Sequence, residues 1–377
     1  MLLKRKLCAA VVIATVLFLM LASHGIQRRH FLLTSLVQLN SRVMPTRRET
    51  VIQPTVPPAV LTPPPPSITE FESEEEEEDE EEEMSEEEEE PIQDLRQCGC
   101  SESCISDRET SEWFSQRYDP KQQPILRDTN SDFDSSALAW WLALQRSGND
   151  QTLEKVMSQM FRVISPPTVE TRPKPSRCRT CAVVGNSGNL RMSSHGKLID
   201  SHSFVIRMNK AVTRGFEKDV GNRTTHHFLY PESAVDIAHG VSLVLLPFKL
   251  RDLEWLTSAL STGQIKMTYM RVKERVKADK DKVLVVNPVF FKYVHDSWTE
   301  HHGRYPSTGM LAIIFALHIC DQVSVFGYGA DQQGNWHHYW EQNRYAGAFR
   351  KTGVHSADFE TEVIHRLAKE GKISLHL

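Results

Sequence analysis

The chain has 377 residues, enough for one large domain with additional segments, and a formal charge of −5. The charge is uneven, because residues 70–90 contain 17 acidic residues and no lysine or arginine. The remainder has 32 acidic and 44 basic residues, a formal charge of +12, which favours an anionic ligand. We expect no nucleic-acid partner, because the sequence has no zinc-finger pattern, RNP motif or platform of aromatic and basic residues.

An apolar run at residues 7–23 follows a basic sequence at residues 4–6. Seventeen helical residues span about 26 Å, close to the hydrocarbon thickness of a thin secretory-pathway bilayer. The basic flank predicts a cytosolic tail at residues 1–6, with the rest of the chain in the lumen. A cleaved signal peptide is the alternative, since Ser23 and Gly25 are small enough for a cleavage site. The run slightly exceeds a usual signal-peptide core, so we expect an uncleaved, single-pass type II signal anchor.

Residues 24–95 are predicted to form a disordered stem. Residues 54–66 are rich in proline, which favours extended polyproline II. The acidic run at residues 70–90 cannot bury enough apolar surface to fold. Calcium binding by this run is the alternative, but an ordered calcium site needs spaced ligands and turns. The folded domain is therefore expected at residues 96–377.

Six of the seven cysteines lie beyond the apolar run. An even number in that position predicts disulfide bonds in an oxidising compartment. Cys98, Cys100 and Cys104 form a tight cluster, and the C-x-x-C sequence at residues 178–181 has a spacing that zinc ligands also use. A zinc site is the alternative to disulfides, which the luminal location favours.

Two apolar segments of the domain end in polar residues. Residues 182–184 run into glycine, asparagine and serine, which predicts a buried strand and a tight turn. If a helix follows, such a turn directs backbone N–H groups at an anion, usually a phosphate. A second strand is predicted at residues 204–208. Asn186 and Asn209 follow these strands, where open α/β sheets bind ligands, and asparagine both donates and accepts hydrogen bonds, as a ribose or pyrimidine requires.

An ordinary strand–helix turn would have the same pattern, and the dinucleotide fingerprint G-x-G-x-x-G is absent. Further short buried strands are predicted at residues 241–246, 283–286 and 323–326. Residues 257–261 and 310–319 are predicted to be parts of helices, and residues 111–146 are expected to form helices that cover the core. This alternation favours an α/β fold with a mainly parallel sheet.

Several sequences in the domain resemble the motifs of animal sialyltransferases. Those that resemble the large sialylmotif are residues 181–190, 199–202, 205–210 and 219–227. Those that resemble the small, third and very small motifs are residues 302–320, 334–341 and 355–360. The resemblance covers roughly residues 95–377, and it is closest to the β-galactoside α-2,3-sialyltransferases that act on Gal-β-1,3-GalNAc.

This resemblance implies a Rossmann-like nucleotide-binding sheet flanked by helices, the GT-A-like variant of the family, in a single luminal catalytic domain. It implies transfer of sialic acid from CMP-N-acetylneuraminate to the 3-hydroxyl of galactose in Gal-β-1,3-GalNAc on glycoproteins or glycolipids. The reaction would be inverting and independent of metal, in an enzyme of the Golgi membrane. An acceptor of N-acetyllactosamine or glycolipid type is one alternative. A catalytically inactive, membrane-tethered glycan-binding protein is another, and a homodimer is left open.

The resemblance also implies the roles of individual residues. His355 would be the general base and His338 the contact to the departing phosphate, tasks that suit imidazole near pH 7. Glu360 is expected to be structural or orienting. The implied donor-binding residues are Asn186, Ser187, Asn209, Ser307, Thr308, Gly309, Gly329, Trp336, His338 and Tyr339. The implied acceptor-binding residues are Gln145, Tyr269 and Tyr305.

Some of these residues have simpler interpretations. Ser307 and Thr308 are good helix caps, which is compatible with an anion site at the same helix N-terminus. The D-x-D sequence at residues 132–134 resembles the metal site of other glycosyltransferases, but it precedes a helix, where acidic residues are favourable. We expect no metal there. The histidine pairs at residues 226–227 and 301–302 are expected to be structural.

The pairing that the resemblance implies is Cys98–Cys104, Cys100–Cys178 and Cys181–Cys320. The N-terminal cysteine cluster is one residue longer here than the family usually has. A glycosylation sequon begins at Asn222, in a predicted polar loop that a luminal enzyme would expose.

Overall fold

The structure is a computed structural model that describes residues 98–101, 104–107, 111–127, 133–144, 151–168, 174–331, 333–343 and 353–377. The predicted tail, anchor and stem lie outside these ranges, as do Gln145 and Asp132. Within the ranges given, no helix combines the length and the hydrophobicity that crossing a bilayer requires.

The core of the domain is a seven-stranded sheet. Its strands are β1 (Thr180–Val184), β2 (Phe204–Met208), β3 (His226–Leu229), β4 (Ser242–Leu245), β5 (Val283–Val285), β6 (Gln322–Phe326) and β7 (Ser374–His376). They lie in the order β5-β4-β3-β2-β1-β6-β7, and every neighbouring pair is parallel. The order reverses between β1 and β6, which creates the switch point where such sheets bind ligands. The predicted α/β fold with a parallel sheet is therefore confirmed.

Helices cover both faces of the sheet. They are α1 (Glu112–Ser115), α2 (Ser135–Leu144), α3 (Leu153–Met160), α4 (Gly196–Ser201), α5 (Glu217–Val220), α6 (Leu250–Ala259), α7 (Pro288–Tyr293), α8 (Thr308–Ile319) and α9 (Ala357–Lys369). A π-helical turn, Val294–Trp298, continues α7. Every residue of α8 from Met310 to Ile319 is buried, as expected of a helix that is apolar all round.

Alternate residues of β1 enter different parts of the core, as the period of two in a strand requires. Cys181 and Val183 pack with α8 in the largest hydrophobic cluster. Ala182 and Val184 pack on the opposite face with a separate cluster that includes Ile199 of α4. Because β1 is covered on both faces, its carboxyl end is fixed from both sides.

The sequence did not predict β3 or β7. Two histidines open β3 and conceal its apolar character, but burial lowers the pKa of His226 to about 4, so this side chain is neutral at pH 7. The turn after β1 continues into a single 3₁₀ turn, Gly188–Leu190, and not into an α-helix. In the stretch expected to be helical from residue 111, residues 116–127 follow α1 without forming an α-helix, and Ile125 pairs with Val286, directly after β5.

The structure contains the three disulfides that the resemblance implied: Cys98–Cys104, Cys100–Cys178 and Cys181–Cys320. The three clustered cysteines are thus each used in a covalent bond, so the zinc interpretation of this cluster is wrong. The Cys181–Cys320 bond joins β1 to the residue that ends α8. It therefore fixes the helix relative to the strand that precedes Asn186.

Candidate active site

A cleft of about 610 Å³ lies at the carboxyl ends of β1, β2 and β6. Its lining residues come from many separate stretches of the chain, between Gly185 and Ile364. The sequence-predicted residues that line it are Asn186, Ser187, Asn209, Tyr269, Tyr305, Ser307, Thr308, Gly309, Gly329, Trp336, His338 and His355. Residues distant in sequence are therefore brought together at the predicted edge of the sheet.

The ends of β1 and β6 approach each other closely beneath this cleft. The N–H of Gly185 donates to the carbonyl of Phe326, with 2.7 Å between N and O. A Cβ atom at Gly185 would lie 2.3 Å from the carbonyl oxygen of Gly327, which is impossible without movement of the backbone. Gly327 itself has a φ of +69°, which favours glycine. Two glycines thus allow the strand ends to meet at the switch point.

Two asparagines follow β1 and β2 at the floor of the cleft. The side-chain amide of Asn186 donates to the carbonyl of Met208, with 3.1 Å between N and O. The Oδ1 atoms of Asn186 and Asn209 are buried and have no hydrogen-bond partner among the residues that the structure describes. A buried acceptor without a donor costs about 1–3 kcal/mol, so both atoms are suited to a hydrogen-bond donor on a ligand.

The N-terminus of α8 faces the same cleft. The hydroxyl of Ser307 accepts from the N–H of Met310 at 3.1 Å, so Ser307 is a helix cap. The N–H of Ser307 donates to Oε1 of Glu360 at 2.7 Å. That N–H is therefore already used, and Thr308 and Gly309, which line the cleft, are better placed for an anion.

Glu360 is buried on α9, and burial raises the pKa of its carboxyl to about 7. The hydrogen bonds from Ser307 oppose that shift but do not cancel it. The carboxyl thus connects α9, which follows His355, to the N-terminus of α8. This contact fits the structural or orienting role expected for Glu360.

His355 is held in a tautomer that suits a base. Its Nδ1 lies 2.8 Å from the carbonyl oxygen of Tyr305, which can only accept, so Nδ1 carries the hydrogen and donates. Nε2 is then the nitrogen with the lone pair. Burial lowers the pKa of His355 and outweighs the opposing effect of the bond to Tyr305, so the neutral form is favoured near pH 7.

His338 has a different environment. Its Nδ1 lies 3.0 Å from Oε1 of Glu341, and its ring stacks on Trp340 with 4.6 Å between the ring centres. The hydrogen bond from His338 is the main cause that holds the pKa of Glu341 below its usual range. The Glu341 bond uses one ring nitrogen, so the other, Nε2, is the one a ligand can meet.

The side of the cleft near His355 is aromatic. The ring of Tyr305 lies 5.0 Å from His355 and 5.1 Å from Phe248, and Phe248 lies 5.8 Å from Tyr230. Tyr269 lines the same side and is 65% exposed. The sequence analysis did not identify Tyr230 or Phe248. Tyr230 directly follows β3, so recognising that strand would have indicated it.

Tyr339 does not line the cleft. Its side chain is 1% exposed, and its hydroxyl donates to the carbonyl of Val212 at 2.6 Å. Its backbone N–H donates to the carbonyl of Asn186 at 3.2 Å. These bonds fix the segment of His338 against the turn after β1. The donor-binding role expected for Tyr339 stays a prediction.

Comparison with known proteins gives consistent matches. The glycosyltransferase family 29 (sialyltransferase) model matches residues 125–372. The CMP-N-acetylneuraminate-beta-galactosamide-alpha-2,3-sialyltransferase 2 of Mus musculus is 54% identical over 281 residues, 74% of this chain and 80% of the relative. The CMP-N-acetylneuraminate-beta-galactosamide-alpha-2,3-sialyltransferase 1 of Homo sapiens is 51% identical over 283 residues, 74% of this chain and 82% of the relative.

Two crystal structures of a mammalian sialyltransferase match with a TM-score of 0.68 and 47% sequence identity. One of them is a complex with Gal-beta-1-3GalNAc-ortho-nitrophenol. Each match covers 74% of this chain and 98% of the solved one. The fold, the cleft at the switch point and these matches agree. The chain belongs to glycosyltransferase family 29, the sialyltransferases.

Proposed function

We propose that this protein transfers sialic acid from CMP-N-acetylneuraminate to the 3-hydroxyl of galactose in Gal-β-1,3-GalNAc of O-glycans, on glycoproteins or glycolipids. The observation that carries the proposal is that His355 and His338 line one cleft and each has Nδ1 fixed by a hydrogen bond. We therefore assign the chemistry of each histidine to its Nε2. The similar α-2,3-sialyltransferases, and the solved complex with Gal-beta-1-3GalNAc, support the choice of donor and acceptor.

In the proposed reaction, Nε2 of His355 accepts the proton of the acceptor hydroxyl while its oxygen bonds to the anomeric carbon of sialic acid. The bond from that carbon to the phosphate oxygen breaks, and CMP leaves with the electron pair, so the configuration inverts. His338 donates a hydrogen bond from Nε2 to the departing phosphate, which requires the protonated ring, because Nδ1 already donates to Glu341. The N–H groups of Thr308 and Gly309 donate to the same phosphate. No covalent nucleophile is needed, because positioning and stabilisation of the leaving charge lower the barrier.

We assign the remaining cleft residues to the two substrates. Asn186 and Asn209, whose Oδ1 atoms have no partner among the described residues, would bind the cytidine, and Ser187, Gly329 and Trp336 would contact the donor beside them. Tyr269 and Tyr305 would bind the acceptor sugar, together with Gln145, which lies outside the described residues.

We propose that the reaction needs no metal. Asp134 of the D-x-D sequence accepts hydrogen bonds from the N–H groups of Ser136 and Ala137, at 3.3 and 3.0 Å, and so caps α2. Asp134 is not among the residues that line the cleft. We expect activity to survive excess EDTA, and a loss that manganese restores would contradict this assignment.

We further propose a single-pass type II protein of the Golgi membrane with its catalytic domain in the lumen, as the basic N-terminus, apolar run and disulfides suggest. Asn222 is exposed and would carry the glycan. Residues beyond 24 should be protected from protease in sealed microsomes, and peptide N-glycosidase should increase the mobility of the chain in gels. Digestion of the domain from the cytosolic side would overturn the topology.

The central experiment uses the full-length chain, purified in detergent and supplied with labelled CMP-N-acetylneuraminate. Acceptors ending in Gal-β-1,3-GalNAc, on a peptide and on a glycolipid, are compared with N-acetyllactosamine. We expect fastest transfer to Gal-β-1,3-GalNAc, with an α-2,3 linkage in the product. Faster transfer to N-acetyllactosamine would change the acceptor, and binding of glycan without any transfer would instead indicate the inactive glycan-binding protein.

A further inference from the structure

A buried group of three charged side chains adjoins the cleft on the side of Tyr269. Nζ of Lys249 lies 3.1 Å from Oε1 of Glu232 and 2.6 Å from Oδ1 of Asp252. The side chains of Lys249, Glu232 and Asp252 are only 4%, 5% and 0% exposed. Two carboxylates therefore share one ammonium group, and burying an additional carboxylate is costly unless it has partners.

Glu232 is the member of this group that lines the cleft. Its Oε1 accepts hydrogen bonds from both Lys249 and the hydroxyl of Thr268. In the part of the chain that the structure describes, its Oε2 has neither a hydrogen-bond donor nor an ion-pair partner. One oxygen is thus fixed by the protein, while the other remains available as an acceptor for a ligand in the cleft.

The surroundings of Glu232 suit a neutral sugar. Burial, and then the charge of Glu232, raises the pKa of both Tyr230 and Tyr269, so the carboxylate lies close to two phenolic rings. Aromatic rings cover the apolar face of a hexose, and a carboxylate accepts hydrogen bonds from its hydroxyls. The sugar-nucleotide donor has a phosphate and a carboxylate, both of which Glu232 would repel.

The aromatic rings also connect this position to the proposed base. Tyr230, Phe248, Tyr305 and His355 follow one another with ring centres 5.8, 5.1 and 5.0 Å apart. All four line the same cleft. A disaccharide against this wall can therefore present one hydroxyl to His355 and another to Glu232.

We propose that Oε2 of Glu232 accepts a hydrogen bond from a second hydroxyl of the acceptor galactose and so contributes to acceptor selection. The inference rests on the proposed transferase function. Lys249 and Thr268 act as positioning residues, because they hold Oε1 and thereby orient the carboxylate. A site that binds a substrate hydroxyl in this way discriminates strongly against sugars that lack it.

The first test is steady-state kinetics of Glu232→Gln in the full-length protein. This change leaves Lys249 with Asp252 as a balanced ion pair, so the fold should persist. We expect kcat/KM for the acceptor to fall about 10- to 100-fold, the usual size for a hydrogen bond to a charged group, while the donor KM stays unchanged. Asp236→Asn is the control, because Asp236 belongs to the same segment and binds Lys273 at 2.9 Å but does not line the cleft.

The second test uses acceptors that lack the 2-, 4- or 6-hydroxyl of galactose. With the wild-type protein, one of them should lose about 10- to 100-fold in kcat/KM, and in Glu232→Gln that penalty should nearly vanish. Glu232→Asp keeps the charge but withdraws the carboxylate, so it should act like Glu232→Gln even if the latter folds poorly. Unchanged acceptor kinetics, or equal penalties in wild type and variant, would overturn the inference. A wild-type protein without any transfer would instead refute the proposed function.

Discussion

The two histidines of the cleft have the same side chain in different surroundings. At His355, a neutral carbonyl holds Nδ1, and burial lowers the pKa of the ring. At His338, a carboxylate holds Nδ1, the ring stacks on Trp340, and the side chain is 34% exposed. The first arrangement favours a neutral ring that can accept a proton. The second places a carboxylate behind the ring, which suits the hydrogen bond to phosphate that we propose for His338.

In the proposed reaction, the two histidines have opposite tasks. Both Nδ1 atoms face acceptor oxygens, so both rings carry a hydrogen there, and what differs is the charge of the partner and the burial of the ring. Neither partner is predictable from the histidine itself: Tyr305 lies 50 residues before His355, whereas Glu341 is three residues after His338. Substitutions at and around the two histidines test this contrast between His355 and His338.

Replacing His355 with alanine should have the largest effect. Turnover should fall by roughly 10²–10⁴, the usual contribution of a positioned base, while donor affinity changes little because the base contacts the acceptor. The measurement is steady-state kinetics with both substrates varied, and thermal melting checks the fold. His239→Ala, at an exposed position, is the control. Near-normal turnover of a folded His355→Ala protein would place the base elsewhere.

Replacing both Cys181 and Cys320 with alanine removes their bond. We expect this change to impair use of the donor, assigned to the His338 side of the cleft, more than use of the acceptor, assigned to the His355 side. The bond ties β1, which leads to Asn186, to the end of α8. It closes a loop of sequence separation 139, so its loss should cost about 2–5 kcal/mol of stability. Chemical denaturation measures this loss, and the donor KM should rise more than the acceptor KM. Peptide mapping that finds Cys320 as a free thiol in the wild type would contradict the bond.

Replacing His338 with alanine should impair use of the donor. A charge-assisted hydrogen bond to the departing phosphate contributes about 1.5–3 kcal/mol, so kcat/KM for CMP-N-acetylneuraminate should fall about 10- to 100-fold. Glu341→Gln should have a smaller effect in the same direction, because it removes only the charge behind the ring. If His338→Ala changed only the acceptor KM, the two histidines would not divide the substrates as proposed.

The last prediction concerns the pH dependence of folding stability and depends on Glu360, which lies on the helix after His355. Its carboxyl has a pKa of about 7 in the folded protein and an ordinary value of 4.5 when unfolded. The folded state therefore holds the proton between these values, and stability falls as the pH rises from 4.5 to 7.

Glu360→Gln removes this dependence, with an effect on the free energy of unfolding of at most about 3 kcal/mol. The measurement is the melting temperature of both proteins from pH 5 to pH 8. Asp252, whose pKa burial also raises to about 7, titrates in both proteins and cancels in the difference. If the melting temperatures of the two proteins changed in parallel from pH 5 to pH 8, Glu360 would not titrate in this pH range.

The sequence predicted the floor of the cleft well. Asn186 and Asn209 follow apolar runs of strand length, and polar residues directly after such runs mark the carboxyl end of a parallel sheet. It did not predict Tyr230, Phe248 or Glu232, and it named Glu360 only through the resemblance. Glu232 follows a strand that two histidines conceal, and Glu360 meets Ser307 across 53 positions, for which no local pattern exists. Contacts of this kind are set by tertiary packing.

The strand order has a consequence for how the protein is made. β1 has β2 on one side, synthesised soon afterwards, but β6 on the other, beginning only at Gln322. While the ribosome is still extending the chain, one edge of β1 is therefore open, and Cys181 has no native partner until Cys320 has been added. An open edge strand readily pairs with the wrong chain. The part of the cleft between β1 and β6 is thus a property of the finished polypeptide, and no nascent fragment that ends before β6 contains it.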